Sequence, residues 1–521
     1  MVGVVNVPEN VFKKWRATIA PQWWVCFWAA IAVGLTAHLY KITGWLPNWD
    51  SLVFRHDPQN MVVLGRWFLP VVCSFSSLYD LPFLNGVIAI LFHALGAVCI
   101  CRLLNVEKNG TAFLIGGVVA TFPTVTSVLM YNYVADGYAV AFFLATLAAL
   151  LMTQEKPRYL IAAVLITLSV GIYQAYLTVT VTLILIKLID DTAHRDVPAV
   201  TTLKRAVPML LTGLAGMAVY TVVLKVLLKV LSMEMLEYQG LNTTSMASIN
   251  IAATLYTIKE TFFGCFFDLS GGINVYVALN AVILVLTVAY FLKRIIQNKI
   301  YKKPLSLALI VLLAVLLIPG AALLAFINPK VDYHNLMRMG YVAFYLLFIL
   351  LYERGTESGD TRAAAQSWIV LVVAGILLTN QVVIANLSYH KAQMAYEKSY
   401  GVLVRIADRI EQTPEADTCD KVLVLGALED SESYSVNLTP DITGITDGYI
   451  LRADDEVVGQ SVLCSALNDY CGTSYAFVSG AEKDAIAARD DVVQMGVWPA
   501  KDCITVIDGT LVIKLSAEGE M

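Results

Sequence analysis

Seven apolar runs, near residues 23–46, 81–104, 111–130, 206–229, 274–292, 304–327 and 368–388, are long enough to cross the bilayer as helices; about 20 residues suffice for the hydrocarbon core. In lipid every backbone N–H and C=O must be paired within the protein, and a chain built of such runs meets that demand with helices. The chain therefore reads as a polytopic α-helical membrane protein. Its 521 residues are 58% hydrophobic and only 15% charged, where soluble domains carry about 45–50% and 25%. Lys and Arg are confined to short segments between the apolar runs, which excludes a nucleic-acid-binding face. Lys13, Lys14 and Arg16 precede a run too long for a signal-peptide core, so 23–46 reads as a first anchored span with no cleavable leader.

Shorter apolar stretches lie at 138–153 and 339–352. The stretch 159–189 is ambiguous, because as one helix it would be roughly 46 Å long, too much for one span and little for two. Charge decides. With a break near Tyr173-Gln174-Ala175-Tyr176 there are about eleven spans and the N-terminus is inside. Eighteen Lys and Arg then lie inside, and eight outside up to residue 388. A single span would turn the basic run Lys293–Lys303 outward, against the positive-inside bias.

This topology predicts a cytoplasmic segment 1–22, a membrane domain 23–388 and outer loops at 47–80, 230–273 and 328–338. It sends the polar tail 389–521 to the exterior as a small α/β domain. Helix-like segments (391–412, 458–469, 481–488) alternate there with strand-like ones (421–426, 474–479, 504–515), and Asp508-Gly509 is a hairpin signal. Four cysteines, Cys419, Cys464, Cys471 and Cys503, lie in this tail. An oxidising exterior would allow them two disulfides, with Cys464–Cys471 a plausible local loop and the pairing open. Cys26, Cys73, Cys99, Cys101 and Cys265 lie in or beside apolar runs and read as small hydrophobes.

Four outer stretches carry candidate chemistry. The first holds Asp50 and Asp57 with Arg55 and Arg66 just past the first span. A carboxylate there can take a proton from an attacking sugar hydroxyl, and a guanidinium can grip a phosphate through paired hydrogen bonds. The bland alternative is a solvated loop whose charges neutralise each other. In the second, Asp136 and Tyr138 open an apolar span, and Asp136 is either a helix cap or a functional acid near membrane depth. In the third, Tyr173 and Gln174 offer a stacking face and an amide suited to a sugar, while Tyr176 fits an interfacial belt. In the fourth, Lys330, His334 and Arg338 recur every four residues and would share one face of a helix; snorkelling side chains are the plain alternative. Asp190-Asp191 falls on the inner side, which gives little support to a nucleotide-sugar site with metal. His93 in the second long run reads as a packing residue.

Asn48-Trp49-Asp50-Ser51-Leu52 with Gly65-Arg66-Trp67, Ala135-Asp136-Gly137-Tyr138, Gly171-Ile172-Tyr173-Gln174-Ala175-Tyr176-Leu177 and Met337-Arg338 occur in this order. The set resembles the Gtr type II family of bacterial O-antigen glucosyltransferases across roughly residues 20–390. The resemblance implies the C-type glycosyltransferase fold in a bacterial inner membrane. It implies transfer of a sugar, most often glucose, from a polyprenyl-phosphate donor to a cell-surface polysaccharide on the extracytoplasmic face. It places an essential acid in the first outer loop, here Asp50 with Asp57 as rival. Arg66, Lys330, His334 and Arg338 would hold the donor phosphate, and Asp136, Tyr138, Tyr173 and Gln174 would line the sugar site. No cofactor is required, because the departing lipid phosphate is already a stable dianion, and a divalent metal is left open. The partners implied are the lipid-linked donor, the polysaccharide acceptor and the bilayer. Two rival classes are a flippase or transporter of lipid-linked sugars and a non-enzymatic cell-envelope assembly protein. Ionisable groups concentrated on the outer side favour the enzyme.

Overall fold

The computed structural model describes residues 7–53, 61–76, 78–195, 197–236, 250–269, 273–326, 328, 333–354, 361–428, 451 and 456–517. The chain divides into two compact units. The first consists chiefly of Met1–Thr43 and Asn60–Asn386, and the second of Gly44–Gln59, Leu387–Val436 and Thr443–Met521.

In chain order the first half forms α1 (Pro8–Ala17), α2 (Pro21–Thr43), α3 (Trp49–Val53), α4 (Leu69–Cys73), α5 (Pro82–Leu103), α6 (Asn109–Thr121), α7 (Pro123–Met130), α8 (Asn132–Thr153), α9 (Tyr159–Ile172) and α10 (Leu177–Ala193). Then come α11 (Ala199–Val230), α12 (Ile251–Phe266), α13 (Val275–Gln297), α14 (Pro304–Ala321), α15 (Val342–Arg354) and α16 (Thr361–Glu411). Among the described residues, eight helices are long and apolar enough to cross a membrane, with α6 and α7 taken together as one. That pair is apolar all round and 94% buried over its spanning window, so it fills the middle of the bundle. Its kink at Phe122 (φ −54°, ψ 137°) follows from Pro123, which drives the preceding residue out of the helical region. By contrast α11 is equally apolar and only 28% buried. Its exposed Leu210, Leu211 and Leu214 suit hydrocarbon rather than water.

The stretch 159–189 breaks where the sequence predicts. Arg158 N–H donates to the Leu151 carbonyl (3.1 Å) and Ser169 Oγ to that of Ala141 (2.8 Å), so α9 runs antiparallel to α8. Beyond a turn at Tyr173–Tyr176, Thr180 Oγ1 bonds the Ala145 carbonyl (3.0 Å) and α10 runs back beside α8. The 14 residues of α9 and 17 of α10 are shorter than any of the eight helices long enough to cross a membrane. Two further expectations are corrected. The loop 230–273 contains α12, whose Lys259 and Glu260 interrupt any long apolar run and whose start is capped by Asn250, accepting from Ala253 N–H. The last apolar run does not stop at 388: with no proline between Thr361 and Glu411, α16 continues for 51 residues.

Among the described residues the second unit is built around a four-stranded sheet, β1 (Lys421–Leu425), β2 (Ala476–Phe477), β3 (Ile504–Ile507) and β4 (Thr510–Lys514), in the order β2-β1-β4-β3. β1 is parallel to both neighbours, and β3 and β4 form an antiparallel hairpin. Asp508 (φ 48°) and Gly509 (φ 77°) supply the two left-handed residues of a type I′ turn. The continuous apolar run of β1 reflects cover on both faces. Val422 and Val424 pack with Leu511 and Ile513 in one core layer, and Leu423 and Leu425 with Val512 in another. The first layer also receives Leu403, Ile406 and Ile410 from α16 and Leu463, Cys464 and Leu467 from α17 (Glu456–Cys471). Two short helices, α18 (Gly480–Ala487) and α19 (Asp490–Val493), precede the hairpin.

Leu52 of α3 is buried in that same layer, and Gly44–Gln59, the beginning of the first predicted outer loop, groups with the C-terminal unit. The disulfides open to the tail cysteines are not formed. Cys419, Cys464 and Cys503 are buried in the core layer and Cys471 packs against it. Their sulfurs are engaged separately: Cys464 donates to the Tyr475 carbonyl (3.4 Å), Cys419 to that of Glu415 (3.6 Å), and Cys503 accepts from Arg409 (3.5 Å). Burial pushes the Cys464 thiol up to about 11.

Candidate active site

Three of the sequence motifs, far apart in the chain, meet at the start of α8. Gly65 adopts φ +78°, and a Cβ there would lie 2.5 Å from the Tyr220 hydroxyl and 2.6 Å from Gln174 Nε2. Only glycine lets the chain turn so close to these groups. The next residue, Arg66, donates from Nη1 to the Tyr138 hydroxyl (3.2 Å) and lies over the Tyr173 ring, 4.9 Å from its centroid. Tyr138 and Tyr173 stack 4.6 Å apart with planes 12° from parallel. Trp67 presses on the helix break, where a Cβ on Gly171 would come within 2.8 Å of its ring. Phe68 N–H then caps the freed Gly171 carbonyl at 2.8 Å. An indole thus occupies the place of a side chain at Gly171, α9 ends one residue later at Ile172, and the extended Tyr173 (φ −155°) follows.

Gln174 serves this arrangement from beneath. Its Nε2 donates to the Leu64 carbonyl (3.0 Å) and to the Tyr220 hydroxyl (3.1 Å), and Tyr220 in turn donates to the Gly65 carbonyl (3.0 Å). It therefore fixes the Leu64–Arg66 segment. Tyr138 and Tyr173 are each 3% exposed, so their rings act as a buried support for Arg66 and not as an open stacking platform.

Asp136 is engaged elsewhere. Its carboxylate accepts from Ser76 Oγ (2.7 Å), Cys73 Sγ (3.6 Å) and Gly137 N–H (2.9 Å), tying α4 and the following turn to α8. Over its described residues from Tyr333 on, the fourth motif forms no α-helix. His334 is extended (φ −78°, ψ 174°), and Asn335–Met337 and Met339–Tyr341 are 3₁₀ turns, so four-residue spacing aligns nothing there. Arg338 folds back, donating from Nε to the Tyr333 carbonyl (2.9 Å) and from Nη1 to Asn335 Oδ1 and the Gly264 carbonyl (3.4 Å each). Gly340 packs on Thr178, one residue into α10, which brings this segment beside the Tyr173–Tyr176 turn. Lys330 and Asp57 lie outside the described residues.

Asp50 belongs to the C-terminal unit, in the first turn of α3. Asn48 caps that turn, its Oδ1 accepting from Ser51 N–H (2.9 Å) and Oγ (2.8 Å). Leu52 anchors the turn in the core, and Asp50 itself is half-buried.

Sequence reasoning missed a polar group at the same end of α8. Asn132 donates to Asp80 Oδ1 (2.7 Å), Asn85 donates to the Asn132 carbonyl (3.0 Å), and Lys41, within electrostatic reach of Asp80, is 1% exposed. A lysine buried at the end of a spanning helix is the signal that would have found it. At the opposite end, Asp190 is gripped by Arg354 through Nε (3.1 Å) and Nη2 (2.8 Å), and Asp191 pairs with Lys187 (2.7 Å). His93 bonds the Ala89 carbonyl (2.8 Å) and stacks on Phe142.

No curated protein and no solved structure matches the chain. Residues 39–352, which hold every motif described above from Asn48 to Arg338, match the family described as glucosyl transferase GtrII. The match spans more than half of the chain, and the protein belongs to this glucosyl transferase family.

Proposed function

We propose that the protein moves glucose from a polyprenyl-phosphate donor to a polysaccharide at the extracytoplasmic face of the bacterial inner membrane, with inversion at the anomeric carbon. On this reading eleven helices cross the membrane and the C-terminal unit is exterior. Asp50 takes the proton of the acceptor hydroxyl as its oxygen bonds to the anomeric carbon. The bond from that carbon to the phosphate oxygen breaks from the opposite side, through an oxocarbenium-like state of the kind glycoside hydrolysis passes through. The phosphodiester leaves as polyprenyl phosphate carrying one more negative charge, which Arg66 and Arg338 offset. A carboxylate needs no raised pKa to be ionised for this task, since its ordinary value is about 3.9.

The observation that carries the proposal is the convergence on Arg66. Within a chain of a glucosyl transferase family, a guanidinium is held by Tyr138 and Tyr173 in a geometry fixed by Gly65, Gly171 and Gln174. Arginine positioned this way is a phosphate clamp in waiting, because its planar fork matches two phosphate oxygens.

The test is incubation of purified protein with polyprenyl-phosphate glucose and acceptor polysaccharide, following release of polyprenyl phosphate and the anomeric configuration of the product. Asp50→Asn should slow transfer by roughly 10²–10⁴-fold with the melting temperature held. Asp57→Asn and Asp80→Asn run alongside. An Asp50→Asn protein that keeps most of its rate moves the base to whichever of the other two fails.

A further inference from the structure

A cavity of about 780 Å³ opens at the end of the bundle remote from Arg66. Its walls include Leu150 and Thr153, at the far end of α8 from Tyr138. Fifteen residues of helix separate them, roughly 22 Å, so this cavity is no part of the arrangement around Arg66. Among the described residues, five cations line it, Arg102, Lys156, Lys187, Arg195 and Arg205, against two carboxylates, Glu155 and Asp191, an excess of three positive charges.

The cations are arranged as well as numerous. Lys187 is only 5% exposed, and its ammonium is held by Asp191 at 2.7 Å. Asn105, in a left-handed conformation (φ 51°) just past α5, has one end of its amide 3.1 Å from Lys187 Nζ and 3.0 and 3.2 Å from the terminal nitrogens of Arg195; since these neighbours are all donors, the amide orientation that satisfies them puts the oxygen there. One oxygen thus gathers an ammonium and a guanidinium at the cavity wall. Lys156 and Arg205 are exposed and complete the lining. A space of this size is typical of a small-molecule site, for which about 300–1,000 Å³ is usual. The charge suits a phosphate, which carries about −1.5 to −2 as a monoester.

We propose that this cavity binds a phosphate-bearing headgroup, its phosphoryl oxygens taken by Lys187 and Arg195 with Lys156 and Arg205 as outer contacts. The site does not depend on the assignment of Asp50 or Arg66. Two sources share the chemistry, a membrane lipid and a soluble sugar phosphate. The helices that supply Tyr159 and Met209 to the wall also present exposed Leu160, Ile161, Leu210 and Leu211, so lipid lies close at hand.

The experiment uses the full chain in nanodiscs and in detergent. One arm measures retention of phosphatidylglycerol against phosphatidylcholine by native mass spectrometry. The other measures binding of glucose 1-phosphate and of inorganic phosphate by calorimetry at low and high salt. The Lys156→Ser/Arg205→Ser variant, altered only at exposed positions, should weaken whichever probe binds by at least about tenfold, equivalent to 1.4 kcal/mol, and salt should do the same. Response in the lipid arm alone assigns the site to a lipid headgroup, and response in the soluble arm assigns it to a phosphate ester. Should the double variant not fold, Arg205→Ser alone carries the comparison. The proposal falls if no probe binds, or if the variant binds both as tightly as the parent.

Discussion

Tyr138 lies flat on Tyr173, their centroids 4.6 Å apart, and both touch Arg66, one by a hydrogen bond and one by its ring face. Tyr138 comes from α8, Tyr173 from the turn that follows α9 and the arginine from a loop, so one contact fixes three pieces of chain. Tyr138→Phe keeps the stack and removes the hydroxyl that accepts from Arg66, whereas Arg66→Ala removes the cation. Transfer should fall by about tenfold in the first and by 10²-fold or more in the second, roughly 1.4 and 2.7 kcal/mol. Arg66→Lys should not restore it, because an ammonium lacks the planar fork. Steady-state rates of polyprenyl phosphate release read all three.

Gln174, Tyr220 and the Gly65 carbonyl form one relay of hydrogen bonds. Gln174→Leu leaves the Leu64 carbonyl and the Tyr220 hydroxyl short of a partner in a buried place, at a cost of about 1–3 kcal/mol. Combined with Tyr220→Phe, the loss should be less than the sum of the two singles by about 0.5 kcal/mol or more, since both cut the same chain. Unfolding in detergent micelles measures the cycle. Additive losses would show that the relay is not one unit.

Helices α2 and α6 meet backbone to backbone. A Cβ on Gly116 would lie 2.3 Å from the Cys26 carbonyl oxygen and 3.0 Å from the Ala30 nitrogen, neither of which can swing aside as a side chain would. Gly116→Ala should therefore destabilise the membrane unit by about 1–3 kcal/mol, as overpacking does. Gly213→Ala, where nothing lies within 4 Å, is the control and should leave the melting temperature unchanged.

The tail cysteines should titrate late. With its thiol at about 11, Cys464 is on the order of 10⁻³ thiolate at pH 8, and thiolate is the reacting form. Its alkylation in the folded protein should accelerate close to tenfold per pH unit up to about pH 11 and then level. Protein purified without reductant and unfolded in denaturant should label at all nine cysteines, whereas a disulfide would remove two from that count.

Much of the membrane unit was legible because hydrocarbon imposes length and apolarity on any helix that crosses it. The break at Tyr173 could be inferred from charge placed on the loops, though the contact beside it, the Trp67 ring against Gly171, joins distant segments and no local pattern records it. Helix α12 went unread because Lys259 and Glu260 broke its apolar run, and the His334–Arg338 segment was over-read because regular spacing carries meaning only where a helix forms. In the site, residue types pointed to Arg66, Tyr138 and Tyr173, which the fold brings together, while the Asp136 carboxylate accepts from Ser76 and Cys73. Least legible was the home of Asp50. Nothing near Leu52 in sequence tells that its neighbours are Leu403 and Leu467.

The central position of β4 in its sheet sets an order of events during synthesis. β1 waits for a neighbour, β4, that emerges from the ribosome almost ninety residues later. Leu52, made near the beginning, shares a core layer with Leu511 and Ile513 of that strand. A product truncated before Thr510 would hold every apolar helix described above and still lack Leu511 and Ile513, so the layer that buries Leu52 closes only once β4 has been made.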